Sequence, residues 1–225
     1  MKLLLVDLDC TLYPQENELF SLMGLRISQY IQSTLCVSRS RANELRDFYW
    51  KKYGLTLIGL IKHHDVIAED FLHYIHDIDI QKKIQPNPKL NDQLISISIP
   101  KILFTNSCRY YAKKVLSVLR LTNCFEDIID IREMNLSPKP DSFGYQLIMN
   151  RYNINGDQCM MVDDSLDNLQ TATSLKMKTI WVGRGKKPSE IDGQAKFPND
   201  IPDVVCQLID QSYEPLRLNL MDALQ

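Results

Sequence analysis

Five short apolar runs recur along this 225-residue chain without alternating apolar and polar positions: KLLLVD at 2–7, KILFT at 101–105, IIDI at 128–131, QCMMVD at 158–163 and KTIWV at 178–182. A strand with one wet face alternates; an unbroken apolar run of four to six residues suits a strand covered on both faces. The pattern therefore predicts an α/β fold, a doubly wound parallel sheet with helices on each side. Helical spacing between the later runs agrees, as in YYAKKVLSVLRL, where Tyr111, Val115, Val118 and Leu119 share a face. The stretch GRGKKPSEIDGQAKFPND, from Gly183 on, reads as loop and turn before a last helix near IPDVVCQLID.

About ninety residues separate the first run from the second, far more than a crossover needs. That interval reads as helical throughout. Leu19, Met23, Ile27, Tyr30 and Ile31 repeat at helix period, SRANELRDFYWKKY forms a second helix stopped by Gly54, and VIAEDFLHYIHDI forms a third. The prediction is a core over 1–13 and 85–225 with a helical domain inserted over 14–84, QPNPKL at 85–90 marking the return. Within the insert, Phe48, Tyr49, Trp50 and Tyr53 read as packing core.

Charge and cysteine usage exclude several function classes. Lys and Arg total 26 against 28 Asp and Glu, a net charge of -2, which leaves no basic excess for a nucleic acid polymer. Six scattered cysteines without a CxxC pair indicate neither a zinc knuckle nor a disulfide framework. Asp7 and Asp9 interrupt the first apolar run before the roughly 7 to 15 residues of a signal-peptide core, and no later run approaches the roughly 20 residues of a membrane span. A cytoplasmic protein without a membrane partner, a monomer or homodimer, is expected.

Asp7 and Asp9 sit two residues apart at the end of the first run, so in extended chain their carboxylates face the same way and crowd one site. Alone, such a pair is most often a surface turn. Likewise Thr105 in TNS is a common strand end, Lys139 between Pro138 and Pro140 a common loop lysine, and Asp163 and Asp164 in VDDS a common helix start. Together they fall at strand ends or in the loop beyond one, and in open α/β sheets that edge is where sites form. Carboxylates for a magnesium ion, a hydroxyl for a phosphoryl oxygen and a lysine for developing charge would suit chemistry on a phosphate.

With these residues in order, the sequence resembles the haloacid dehalogenase superfamily over nearly its whole length: DLDCTL with Asp7, Asp9 and Thr11, FTNS with Thr105, SPKP with Lys139, and MMVDDSLDN with Asp163 and Asp164. The resemblance implies Asp7 as nucleophile and Asp9 as general acid and base. It implies Thr105 as a ligand of the transferring phosphoryl group, aided by the backbone near Asn106, with Lys139 bridging that group and the nucleophile. Asp164 would hold Mg2+ with Asp7 and the backbone carbonyl of Asp9, Asp163 supporting. Because members that displace halide generally lack an acid at the position of Asp9, a phosphomonoester hydrolase with a small-molecule substrate is the expectation, and the insert corresponds to the family's helical cap.

YWKKYGLTLIGLIKHHDV at 49–66 is similar to the cap of pyrimidine 5'-nucleotidases, and DLDCTLYP resembles their first motif, although they usually carry Asn where this chain has Cys10. A pyrimidine nucleoside monophosphate is the implied substrate; a sugar phosphate, phosphoglycolate, or a catalytically silent regulatory role are the alternatives. His63 and His64 are expected to contact substrate or pack the cap, and one cap aromatic could stack on a base. His73 and His76 stand three apart, but no cysteine or carboxylate at recognised spacing completes a zinc site. Cys10 reads as an inert thiol rather than a redox switch. A signalling receiver domain also uses acidic residues, Thr and Lys on such a sheet, but its acidic pair comes first in the chain, whereas Asp163 and Asp164 come last.

Overall fold

The apolar runs become strands covered on both faces: β1 (Leu3–Val6) and β2 (Lys101–Phe104) are buried at every position, Lys101 donating from Nζ to Ile97 O at 2.7 Å. With β3 (Asp127–Ile129), β4 (Cys159–Asp163), β5 (Lys178–Val182) and β6 (Gly193–Ala195) they form one parallel sheet in the order β3-β2-β1-β4-β5-β6. The computed structural model describes residues 1–222, with side chains to 211. Leu5 lies in register with Ile102 on one side and Met161 on the other, so β1 is central. The chain fills one flank through β3, then crosses to β4 on the other. The resulting switch point lies beyond the carboxyl ends of β1 and β4, where a crevice must open.

The sixth strand falls within the stretch expected to be loop and turn. Gly-Gln-Ala carries no apolar run, and its pairing with β5, Ile180 to Gly193 and Val182 to Ala195, is backbone bonding that composition does not reveal. Gly193 also packs too tightly for a side chain, since a Cβ there would stand 2.6 Å from Val204 Cγ1. The other strands match expectation to within one or two residues.

Between β1 and β2 stand α1 (Leu19–Leu35), α2 (Arg39–Tyr53), α3 (Thr56–His64) and α4 (Ala68–His76), one more helix than the periodicity resolves. Ser38 caps α2 by accepting the amide of Arg41 at 3.2 Å, and Gly54 ends it at φ 77°, a left-handed conformation that suits glycine. The same glycine lets the α2–α3 corner approach the core: a Cβ on Gly54 would lie 3.1 Å from Pro138 Cγ, beside Lys139. At the opposite end of the insert, Arg132 donates from Nε to Glu69 on α4 at 2.6 Å.

Phe48 and Trp50 depart from the packing role expected of them, standing 55% and 63% exposed while Tyr49 is buried. Consecutive helical residues are about 100° apart, so three in a row cannot share one buried face. Asn87, within QPNPKL, caps α5 (Pro88–Ser96) by accepting the Leu90 amide at 3.2 Å. The remaining helices, α6 (Arg109–Leu119), α7 (Ser142–Tyr152), α8 (Leu166–Ser174) and α9 (Ile201–Asp222), cover the sheet. No helix of the described residues is long and apolar enough to cross a membrane.

Candidate active site

At the switch point the sheet's hydrogen bonding runs one residue past two strands: the Asp7 amide donates to Val162 O at 2.9 Å and the Thr105 amide to Ile129 O at 3.0 Å. That continuation aims Asp7 and Thr105 from rigid backbone at the same crevice. Asp163 closes β4 beside them. Lys139 arrives from the loop after β3, 2% exposed, and its three donors are all used: Asp7 Oδ1 at 2.7 Å, Asp163 Oδ2 at 2.8 Å and Phe104 O at 2.7 Å. Asn106 holds that lysine in place, accepting the Lys139 amide at 2.8 Å and donating to the Lys139 carbonyl at 3.0 Å.

Electrostatics follow from crowding in a dry place. Burial alone would depress the Lys139 ammonium, but the Asp163 and Asp7 carboxylates outweigh it and hold the group well above its ordinary range. Burial raises the Asp7 carboxyl well above normal; Lys139 opposes the shift, and Asp163, Asp164 and Asp9 add to it. Asp164 is pushed up to about 7, first by burial and then by Asp163. Its position is set by Thr11, whose hydroxyl accepts the Asp164 amide at 3.1 Å, and by Trp181, which donates from Nε1 to Asp164 O at 3.0 Å. Asp163 is anchored rather than free: Asn168 Nδ2 bonds both its oxygens at 3.0 Å, and the Ser165 amide donates to Oδ1 at 2.8 Å.

Asp9 keeps different company. Its carboxylate accepts from Tyr13 at 2.5 Å and Tyr111 at 2.9 Å on Oδ1, and from Ser107 at 2.7 Å on Oδ2. Burial raises this carboxyl, while the three hydroxyls pull the other way. Both tyrosines are themselves held far above the usual phenol range by burial and by the Asp9 charge, so they remain donors. Thr105 Oγ1 accepts the Ser107 amide at 3.0 Å, which leaves its own O–H free.

Asp7, Asp9, Thr105, Asn106, Lys139 and Asp164 all line one cavity of about 1100 Å³. Its far wall comes from the helical insert and is mostly apolar, with Phe20, Met23, Ile27, Trp50, Tyr53 and Phe71. His63 and His64 are not brought to it. His63 bonds the Tyr53 hydroxyl at 2.8 Å and stacks on Tyr49, whose hydroxyl meets His64 Nε2 at 2.8 Å, so both histidines pack the α2–α3 pair.

Residues 1–175 match the haloacid dehalogenase-like hydrolases. The chain belongs to that family. Among curated relatives it is 26% identical over 193 residues to phosphate metabolism protein 8 of Saccharomyces cerevisiae, a stretch covering 78% of this chain and 60% of that protein, so the chain spans less than two thirds of that relative's length. Among solved structures it resembles a HAD phosphatase from Thermococcus onnurineus, with TM-score 0.60 and 19% identity over 91% of this chain and 98% of the other. A 2-haloacid dehalogenase from Pseudomonas syringae pv. Tomato DC3000 is equally similar in fold, TM-score 0.60 at 16% identity over 92% and 99%. Family membership accounts for a hydrolase; fold likeness at this level does not separate phosphate from halide chemistry.

For a haloacid dehalogenase-like hydrolase the donor set for a metal is clear. Carboxylate oxygens of Asp7, Asp163 and Asp164 lie within 4.8 Å of one another, the one such cluster among the described residues. These are hard oxygen donors, three carboxylates beside a single ammonium, so the residues fit a divalent cation. Asp9, whose carboxylate faces three hydroxyls, is not part of this cluster. Sequence reading missed Tyr13, Tyr111 and Ser107. Tyr13 and Ser107 sit inside quoted motifs, whereas Tyr111 looks like any apolar-face residue of α6, and only the fold turns its hydroxyl to Asp9.

Proposed function

We propose that the chain is a Mg2+-dependent phosphomonoester hydrolase that works through an aspartyl-phosphate on Asp7. The carrying observation is the contrast between two neighbouring carboxylates on one cavity: Asp7 pairs with an ammonium inside an acidic cluster, Asp9 with three neutral hydroxyls. Ionised Asp7 attacks phosphorus as the bond to the ester oxygen breaks, and Asp9 gives that oxygen its proton. Water then attacks the same phosphorus, Asp9 takes the water's proton, and the Asp7–phosphorus bond breaks to release phosphate. Dehalogenation would need no proton for its leaving group, so a positioned acid favours the phosphatase.

Thr105 would donate its free hydroxyl to the phosphoryl group, with the backbone near Asn106, and Lys139 would keep Asp7 ionised and offset charge on the phosphoryl oxygens. Magnesium held by Asp7, Asp164 and the Asp9 carbonyl, with Asp163 in support, would screen the repulsion between anionic nucleophile and anionic phosphate. The family's cap corresponds here to residues 14–84 over a core of 1–13 and 85–225.

As substrate we propose a pyrimidine nucleoside 5'-monophosphate. A cavity of about 1100 Å³ exceeds what a phosphoryl group needs, and its apolar, aromatic far wall suits a flat base better than phosphoglycolate or a hydrated sugar. The free cysteines support a reducing, cytoplasmic setting. With Mg2+, a panel of phosphomonoesters should rank UMP or CMP above AMP, sugar phosphates and phosphoglycolate. A ranking led by phosphoglycolate or a sugar phosphate would refute the nucleotide assignment, and no hydrolysis of any ester would refute the phosphatase.

A further inference from the structure

Asp9 has more hydrogen-bond donors than a carboxylate needs merely to stay in place. Two of them, Tyr13 from the turn after β1 and Tyr111 from the first turn of α6, converge on the single oxygen Oδ1, with their own hydroxyls 3.3 Å apart. Both side chains are fully buried, so they have no second rotamer into solvent. An oxygen accepting two hydroxyls has both lone pairs filled. Oδ2 accepts only from Ser107 and keeps one lone pair open.

We propose that Tyr13 and Tyr111 are positioning residues that pin Oδ1 of Asp9 and so confine the transferable proton to Oδ2, aimed at the leaving oxygen. The inference rests on the reading of Asp9 as the acid. Atoms balance simply: Oδ2 gives its proton to the departing oxygen and recovers one from the attacking water, and neither tyrosine exchanges a proton in the cycle. Tyr111 also ties this pin to the helical insert, because its ring stacks on His76 at the end of α4, centroids 4.6 Å apart. Packing of the insert thereby reaches the acid without touching it.

The test varies how much the leaving group needs a proton. p-Nitrophenolate leaves readily without one; phenolate from phenyl phosphate does not. kcat/KM covers binding and the first phosphoryl transfer alone, so the ratio of kcat/KM for the two esters reports acid catalysis. Tyr13→Phe and Tyr111→Phe each remove one buried oxygen and no ring. Each should lose about tenfold more kcat/KM on phenyl phosphate than on p-nitrophenyl phosphate, a fraction of the roughly 10²–10⁴ that a general acid supplies. Asp9→Asn, assayed alongside, should lose more on the same ratio.

Equal losses on both esters would make the tyrosines merely structural and overturn the proposal, as would no loss. If Asp9→Asn leaves the ratio unchanged, the reading of Asp9 as acid falls and the proposal with it. If Asp9→Asn moves the ratio and neither tyrosine variant does, only the proposal falls. Should one variant fail to fold, the other decides.

Discussion

Replacing Lys139 by methionine keeps most of the side chain's bulk and removes its charge, which isolates the ammonium's electrostatic work. In the native protein that ammonium is sequestered from water and bonds Asp7, Asp163 and the Phe104 carbonyl. Its loss leaves two buried carboxylates facing each other with Asp164 nearby and one carbonyl unpaired. Breaking a buried ion pair from one side costs about 3–5 kcal/mol. At about 2–4 °C per kcal/mol for a chain of this size, the melting temperature should fall by about 10 °C.

The loss has a predictable pH dependence. A carboxyl whose folded pKa stands above its unfolded one binds more protons when folded, so its contribution to stability shrinks as pH rises. Asp7 is already raised with Lys139 present, and without it the shift grows. Urea unfolding of Lys139→Met should therefore show a large deficit against wild type at pH 8 and a smaller one at pH 5, where a carboxyl takes up a proton in place of the ammonium. A variant within about 1 kcal/mol of wild type at pH 8, or a deficit that widens in acid, would refute the claim that Lys139 neutralises this cluster.

Burial lowers the His76 imidazole to about 4 from its ordinary 6.5. A depressed pKa means stability present above pH 6.5 and lost as pH falls toward 4, by about 3 kcal/mol at 1.36 kcal/mol per unit; His76→Leu should flatten that part of the acid unfolding curve. Cys10 holds a left-handed φ of 62°, where asparagine is tolerated better than other side chains, so Cys10→Asn should raise stability by about 1 kcal/mol in thermal melts. Asp164 titrates near 7 without a cation, so Mg2+ should bind more weakly at pH 6 than at pH 8 and release protons on binding, readable by calorimetry in buffers of different ionisation heat.

Much of the fold was legible because a doubly wound sheet writes itself into the apolar pattern: β1, β2 and β4 are short runs, apolar at nearly every position, that suit strands covered on both faces. β6 was not legible, since three small residues pair with an edge through backbone alone. In the site, Asp7, Thr105 and Asp163 stood out because polar residues at the ends of buried strands are conspicuous, and Lys139 because it lies in the loop beyond one; Asp7, Thr105, Lys139 and Asp164 line one cavity, with Asp163 buried behind it and bonded to Lys139. What hid was the supporting layer. Tyr111 occupies a position that helix period alone assigns to packing, and packing and hydrogen bonding to Asp9 leave the same mark in one dimension. The exposure of Trp50 was hidden for the converse reason, because a large aromatic ring reads as core until the face it occupies is known.

Covalent chemistry on Asp7 is the centre of this account, and it can be observed directly. Acid-quenching the Asp9→Asn variant during turnover of p-nitrophenyl phosphate with Mg2+, followed by mass spectrometry of its peptides, should find one phosphoryl group on Asp7, because loss of the base slows the water step more than the transfer. A phosphoryl group on any other residue, or release of p-nitrophenol by an Asp7→Asn variant at the wild-type rate, would contradict it.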